Sequence, residues 1–265
     1  MGHGSRTGAG GTTGAGGTTL HHGVCAACVA VLEALRAYPT APDPSPPGMP
    51  ACVAVGPYAG PLRGVLLAYK ERSRHRLARP LGALLAGAVA EMAVRAGGDG
   101  PLIVVPVPST ARAARERHGD HMARLARHAV RRLRRAGWEA ELRRPLRALP
   151  RADSASLNVA ERATAAESSL RIKGDGIGIP RRRRAIGGTL IVVDDIVTTG
   201  ATLAAVTTRL REVDMQVAGA AVLAATRLRK VRGPASPRGR AAALPGSKVI
   251  RSIPRTRGDG QASAG

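Results

Sequence analysis

Apolar positions along the chain fall into two kinds of run. Short, continuous, β-branched stretches occur at "ACVAVGPY" (51–58), "PLIVVPVPS" (101–109), "GTLIVVDD" (188–195) and "QVAGAAVLAAT" (216–226). Such runs read as buried strands. Between them the apolar residues recur at helical spacing. Leu62, Val65, Leu66 and Tyr69 share one face of a helix over 60–73. A second helix starts near Pro80, which suits a first turn, and runs to about Arg95, where Gly97-Gly98 stops it. A long helix is predicted over 111–136, with Met122, Leu125, Ala126, Ala129, Val130 and Leu133 as its apolar stripe and arginines mostly elsewhere. A last helix covers 200–213.

Weaker signals fill the gaps. Residues 25–37 read as a short helix with Val29, Leu32 and Leu35 on one face, followed by a proline-rich linker over 39–50. "WEAELRRPL" (138–146) and "SSLRIKG" (168–174) read as strands, 147–167 as a polar loop with a helical turn or two, and "IPRRRR" (179–184) as a turn. Strands alternating with helices predict an α/β fold, a mostly parallel sheet covered by helices on both faces. The organisation expected is a disordered Gly/Thr-rich leader (1–23), a short module and linker (24–50), one domain (51–226) and a basic disordered tail (227–265), in which "KVIRSI" could add a strand.

Composition changes this picture little. The chain of 265 residues has no Phe, one Trp and three Tyr, so Val, Leu and Ile must build the core. The net charge of +23 favours polyanionic partners such as nucleic acid or phosphorylated ligands. No aromatic residues interleave with the basic ones as base-stacking platforms, so a solvated basic surface explains the charge equally well. The apolar stretch Leu81–Val94 is interrupted by Glu91 and is shorter than the ~20 residues a membrane span needs. No signal-peptide pattern is present, so no membrane insertion and a cytoplasmic location are expected. Three cysteines imply no disulfide framework.

The most informative stretch is "LIVVDDIVTTGATL" (190–203). A strand ends in two acids, then a loop of small hydroxyl residues opens a helix. Free backbone N–H groups at a helix N-terminus bind phosphate. Thr198, Thr199 and Thr202 add hydroxyl donors, and Gly200 allows close approach of the backbone. Two carboxylates suit a sugar diol, whose hydroxyls donate to them, or the orientation of water on magnesium. A phosphate cradle beside a diol grip describes a ribose 5-phosphate site. The chain has no G-x-x-x-x-G-K-[ST] and no G-x-G-x-x-G after a strand, which disfavours a P-loop ATPase and a dinucleotide domain. Simple helix capping needs one aspartate, not two.

"IVVDDIVTTGATL" resembles the phosphoribosyl diphosphate signature of type I phosphoribosyltransferases at nearly every position. Over residues 24–226 the chain resembles the ComF/GntX branch, whose members are amidophosphoribosyltransferase-like competence proteins. "VGPYAGPLRGVLLAYK" (55–70), "VVPVPS" (104–109) and "RERHGDHMARLAR" (115–127) carry that likeness. The resemblance implies a type I phosphoribosyltransferase-like fold. It implies that Asp194 and Asp195 hold the ribose hydroxyls and form the catalytic pair. Thr198, Thr199, Gly200, Ala201 and Thr202 would hold the 5-phosphate. The loop Pro106, Val107, Pro108, Ser109 and Thr110 would face the diphosphate, with Arg112, Arg115 and Arg117 reaching its oxygens and Arg162 in a mobile hood over 147–167.

The implied reaction displaces diphosphate from C1 of ribose by a nitrogen nucleophile, with Mg²⁺ accompanying phosphoribosyl diphosphate. A homodimer is compatible with the resemblance. The other reading is a non-catalytic ComF-like module in DNA uptake, binding single-stranded DNA or a competence partner. The chain departs from the branch where R-G-F-N-Q is expected and Arg117-His118-Gly119-Asp120-His121 stands. A hood glutamine is replaced by Asp153 or Ser154, and the asparagine after the hood arginine is absent. Relatives often begin with a four-cysteine zinc module. Here only Cys25-x-x-Cys28 remains, with His21, His22 and Cys52 as further donors, so a decayed module without zinc is expected.

Overall fold

The computed structural model describes residues 20, 21, 23–98, 100–117, 119–149, 169–173 and 188–226. They all fall within one compact unit, Met1–Arg229. A two-residue pair, β1 (Leu20–His21) with β2 (Val24–Cys25), leads into α1 (Ala26–Glu33). Then come β3 (Tyr38–Thr40), β4 (Cys52–Pro57), α2 (Gly60–Glu71), a 3₁₀ turn (His75–Leu77) and α3 (Ala78–Ala96). β5 (Leu102–Pro106), α4 (Ala111–Glu116), α5 (His121–Arg135), β6 (Ala140–Leu142) and β7 (Leu146–Ala148) follow. β8 (Leu170–Ile172), β9 (Thr189–Val197), α6 (Ala201–Arg211) and β10 (Val217–Ala225) complete the described elements.

The central sheet has the order β3-β4-β10-β9-β5-β6. Every pairing is parallel except the edge pair β3–β4. The expected mostly parallel α/β sheet is therefore observed. Two core layers flank it. One face packs Leu62, Leu66, Leu81, Leu85, Leu125 and Leu133 of α2, α3 and α5 against Ile191 and Val193. The other packs Leu203, Val206 and Leu210 of α6 and the antiparallel pair β7–β8 against Leu190 and Val192. The apolar faces read from periodicity on α2 and α5 are buried, Leu62, Val65, Leu66 and Tyr69 among them.

Several boundaries differ from expectation, each with a local cause. The long helix over 111–136 is two helices, because Gly119 takes φ +123° and Asp120 caps α5 by accepting from the Ala123 N–H at 3.0 Å. "WEAELRRPL" splits into β6 and β7 around Pro145, which has no N–H to donate. The first helix spans only Ala26–Glu33, with Cys25 extended at its N-cap. Part of the proline-rich segment is not a free linker, since Tyr38–Thr40 add an edge strand, where a proline is tolerated. Likewise the polar loop expected over 147–167 begins as strand, since β7 runs to Ala148. The rest of that loop, with Arg162, lies outside the described residues, as do "IPRRRR", the tail and most of the leader.

His75–Ala96 is, by length and hydropathy, apolar enough to cross a membrane, more so than Leu81–Val94 suggested. In this fold its most apolar window is 56% buried, because α3 packs on the sheet at β4 and β10, beside α5, as a core helix.

Candidate active site at the β5–β9 switch point

The chain leaves β5 through α4 and α5 towards β6, and leaves β9 through α6 towards β10, on the opposite side. Neighbouring parallel strands whose connections diverge leave a crevice beyond their carboxyl ends, where ligands bind in open α/β sheets. Strand lengths deepen it. β5 pairs with β9 only as far as Pro106 opposite Val193, whereas β10 follows β9 to Val197. Asp194 and Asp195 therefore do not end the strand as expected. They are followed by Ile196 and Val197, which β10 keeps paired, and they line the step where β5 has already turned away.

Consecutive strand residues face opposite ways. Asp195 points to the α2/α5 side and is 6% exposed. Its Oδ2 accepts from Lys70 Nζ at 2.9 Å and lies 2.9 Å from His121 Nε2. Burial alone would raise this carboxyl, but the His121 hydrogen bond and the Lys70 charge outweigh it and hold the group down at about 2. Asp194 takes the other side, with part of its surface open, and its Oδ1 accepts from the Asp195 N–H at 2.9 Å. Crowding by protein atoms, then the neighbouring Asp195 charge, pushes it up to about 8. Burial, followed by the Asp194 charge, pushes the Cys52 thiol up to about 12.

The threonine loop follows. Thr198 is exposed and Thr199 part-buried, and Gly200 stands at the N-cap of α6 with φ +76°. No side chain caps this helix; the Thr199 hydroxyl reaches the Ala201 N–H only at 3.5 Å. The first-turn N–H groups of α6, those of Ala201 and Thr202 included, thus stay available to an anion. Gly200 serves a purpose the sequence did not suggest. A Cβ there would meet Met49 Sδ and stand 3.1 Å from Pro42 Cγ, so the proline-rich segment backs the loop.

Across the step, Pro106 and Val107 are buried, and the Val107 N–H donates to the Val193 carbonyl at 2.9 Å. Pro108, Ser109 and Thr110 are part-buried. Thr110 caps α4 by accepting from the Ala113 N–H. Ser109 Oγ lies 3.1 Å from His121 Nδ1 and 3.3 Å from Asp120 Oδ1. Arg112, expected to reach diphosphate, pairs with Glu116 at 2.9 Å; Arg115 is exposed and Arg117 part-buried. Lys70 and His121 were not foreseen as site residues. Lys70 did carry a signal, as one of four lysines in a chain with 41 basic residues.

Residues 146–237 match the family model of the phosphoribosyl transferase domain. The phosphoribosyl transferase domain match covers β7 to β10, hence both acids and the threonine loop, and not Lys70, Ser109 or His121. No curated protein matches the chain.

The cysteines divide between the faces. Cys28 packs against the α2/α3 layer and Cys52 lies in the α6 layer, so the sheet separates Cys52 from the Cys25/Cys28 pair. The Cys28 backbone N–H, then its side chain, holds the Cys25 thiol below its usual range, and the Cys25 side chain pushes the Cys28 thiol up. No cluster of three or more His, Cys, Asp or Glu able to hold a metal occurs among the described residues.

Proposed function

We propose that this chain binds phosphoribosyl diphosphate and transfers its phosphoribosyl group to a nitrogen acceptor. The phosphoribosyl transferase domain match supports phosphoribosyl transfer in general. The observation that carries the fuller reading is the step at the switch point. There a part-exposed carboxylate, a locked carboxylate and an uncapped helix N-terminus converge on one crevice.

In this reading the N–H groups opening α6 and the hydroxyls of Thr198, Thr199 and Thr202 bind the 5-phosphate. Asp194 accepts the ribose hydroxyls. Asp195, fixed by Lys70 and His121, supplies a permanent negative charge beside the ribose, where the oxocarbenium-like transition state develops positive charge. The Pro106–Thr110 loop takes the diphosphate. Magnesium accompanying the diphosphate would offset its charge. A cavity of about 570 Å³ beside the ends of β4 and β10, lined by Tyr38, Thr40, Asp43 and Thr226, gives a nitrogen acceptor room. Its floor adjoins β9, since the Thr226 N–H donates to the Val197 carbonyl at 3.0 Å.

The test is diphosphate release from phosphoribosyl diphosphate over a panel of nucleobases and amines, with calorimetric binding of the substrate alone. Release with one acceptor class establishes transfer. Binding without release leaves the ComF-like, non-catalytic reading. Absence of binding removes the transfer reading.

A further inference from the structure

We propose that His121, anchored on Asp195, works through Ser109 as a proton relay to the departing diphosphate, an inference that rests on the phosphoribosyl transfer reading above. Three side chains from three separate parts of the chain form one line. Asp195 Oδ2 lies 2.9 Å from His121 Nε2, and His121 Nδ1 lies 3.1 Å from Ser109 Oγ. His121 is 8% exposed and its backbone carbonyl accepts from the Tyr69 hydroxyl at 2.9 Å, so the ring has little freedom. The sequence around it departs from the ComF branch at this position, and the domain match does not reach it.

The hydrogen-bond inventory dictates what the line can do. Asp195 Oδ2 only accepts, so Nε2 carries a proton in either charge state of the ring. A neutral ring then leaves Nδ1 to accept the Ser109 hydroxyl. A cationic ring donates Nδ1–H to Ser109 Oγ, and the serine must turn its own proton elsewhere. Its other neighbour is Asp120 Oδ1 at 3.3 Å. That oxygen already caps α5, and Asp120 Oδ2 accepts from Arg144 at 2.7 Å. A diphosphate oxygen at the loop therefore competes well for the serine proton. The charged and titratable groups around the ring are Asp195 on β9, Lys70 and Tyr69 on α2, Asp120 and Arg124 on α5, and Arg144 beyond β6. Lys70 shares Asp195 Oδ2 with the imidazole, so the carboxylate stays charged when the ring gives up its proton.

The step balances as follows. The bond from ribose C1 to the diphosphate oxygen breaks, and its electron pair goes to that oxygen. The Ser109 hydroxyl proton passes to the diphosphate, and the Nδ1 proton of His121 replaces it on Ser109. The ring ends neutral, with Nε2–H still on Asp195. The nitrogen acceptor loses its proton to solvent as the new C–N bond forms, and His121 regains one from solvent.

Full-length His121→Gln, which keeps an amide donor for Asp195 but passes no proton, is compared with Ser109→Ala and the double variant. Each single change should lower kcat roughly a hundredfold; affinity for phosphoribosyl diphosphate should stay within about threefold in His121→Gln and fall about tenfold in Ser109→Ala, which loses a donor to the diphosphate. The double variant should be no worse than either single one, because the two act as a unit. The acidic-group limb of the kcat–pH profile should vanish in His121→Gln. A readout free of turnover is inorganic diphosphate titrated in two buffers of different ionisation heat. The parent should take up protons on binding and His121→Gln should not. Equal uptake in both, or an unchanged profile and kcat in His121→Gln, overturns the relay and leaves transfer standing. Labelling of Ser109 by a fluorophosphonate, lost in His121→Gln, would mark a serine nucleophile and also overturn it. A parent that binds neither phosphoribosyl diphosphate nor diphosphate overturns the transfer reading, and the relay with it.

Discussion

Asp194 and Asp195 are neighbours in sequence and opposites in setting, because a strand sends successive side chains to opposite faces. Asp195 is held ionised by Lys70 and His121, while Asp194 is pushed up to about 8. Their asparagine variants should therefore behave differently. Between about 4, the ordinary aspartate value, and about 8, the folded chain keeps a proton on Asp194 that the unfolded chain has lost. Stability falls with rising pH across that window. Asp194→Asn should thus melt higher than the parent, with a gap that widens from pH 4 to pH 8. At pH 9, where Asp194 is ionised, its affinity for phosphoribosyl diphosphate should drop roughly ten- to a hundredfold, the value of one charged hydrogen bond. Asp195 has the reverse sign. Its stabilisation is full above about 4 and is lost as pH falls towards about 2. Asp195→Asn leaves Lys70 and His121 without their partner and should cost on the order of 3 kcal/mol at neutral pH, a deficit that shrinks below pH 4. Melting curves at pH 3, 5, 7 and 9 with calorimetry decide it; equal behaviour of the two variants would sink the division of labour.

Among the elements, the turn into α6 depends on a segment far away in sequence. Gly200 combines φ +76° with Met49 and Pro42 packed against its Cα. Gly200→Ala should lose stability on both counts, with the left-handed backbone costing roughly 1–2 kcal/mol and the Met49 clash adding to it. Met49→Ala in the same chain removes the clash and not the backbone strain. The double variant should then recover part of the lost melting temperature, while affinity for ribose 5-phosphate stays reduced. Full recovery would mean that the backbone conformation is unstrained. The break in the helix predicted over 111–136 is local, at Gly119 and the Asp120 cap. The break puts His121 in the first turn of α5, beside Ser109, where an unbroken helix would have carried it away from the Pro106–Thr110 loop.

Across the whole molecule, α5 turns its apolar stripe to the core and leaves Arg127, Arg131, Arg132, Arg134 and Arg135 exposed. Much of the net charge of +23 is carried by this face together with the tail beyond Thr226. If these basic groups bind single-stranded DNA, log affinity should fall linearly with log salt, with a slope of roughly −0.7 per phosphate neutralised. Truncation after Thr226 should then reduce that slope, and replacing the α5 arginines with glutamine should reduce it further. A truncated chain that keeps both affinity and slope would show that the tail takes no part. A slope near zero in the full chain would reduce the charge to a solvated surface.

Local pattern determined the strands, the buried faces of α2 and α5, the parallel sheet and the threonine-loop segment. Each of these is set by side-chain period or by residues adjacent in the chain, which a sequence displays directly. Asp194, Asp195 and the threonine loop were legible for the same reason. The partners of Asp195 were not, because Lys70 and His121 lie 125 and 74 residues away and only the packing of α2 and α5 on one face of β9 brings them together. Tertiary structure also decided that β9 outruns β5, that a proline-rich segment closes behind Gly200, and that Ser109 meets His121. Strand register and inter-layer contacts are set by the summed burial of whole faces, which no single stretch of sequence contains.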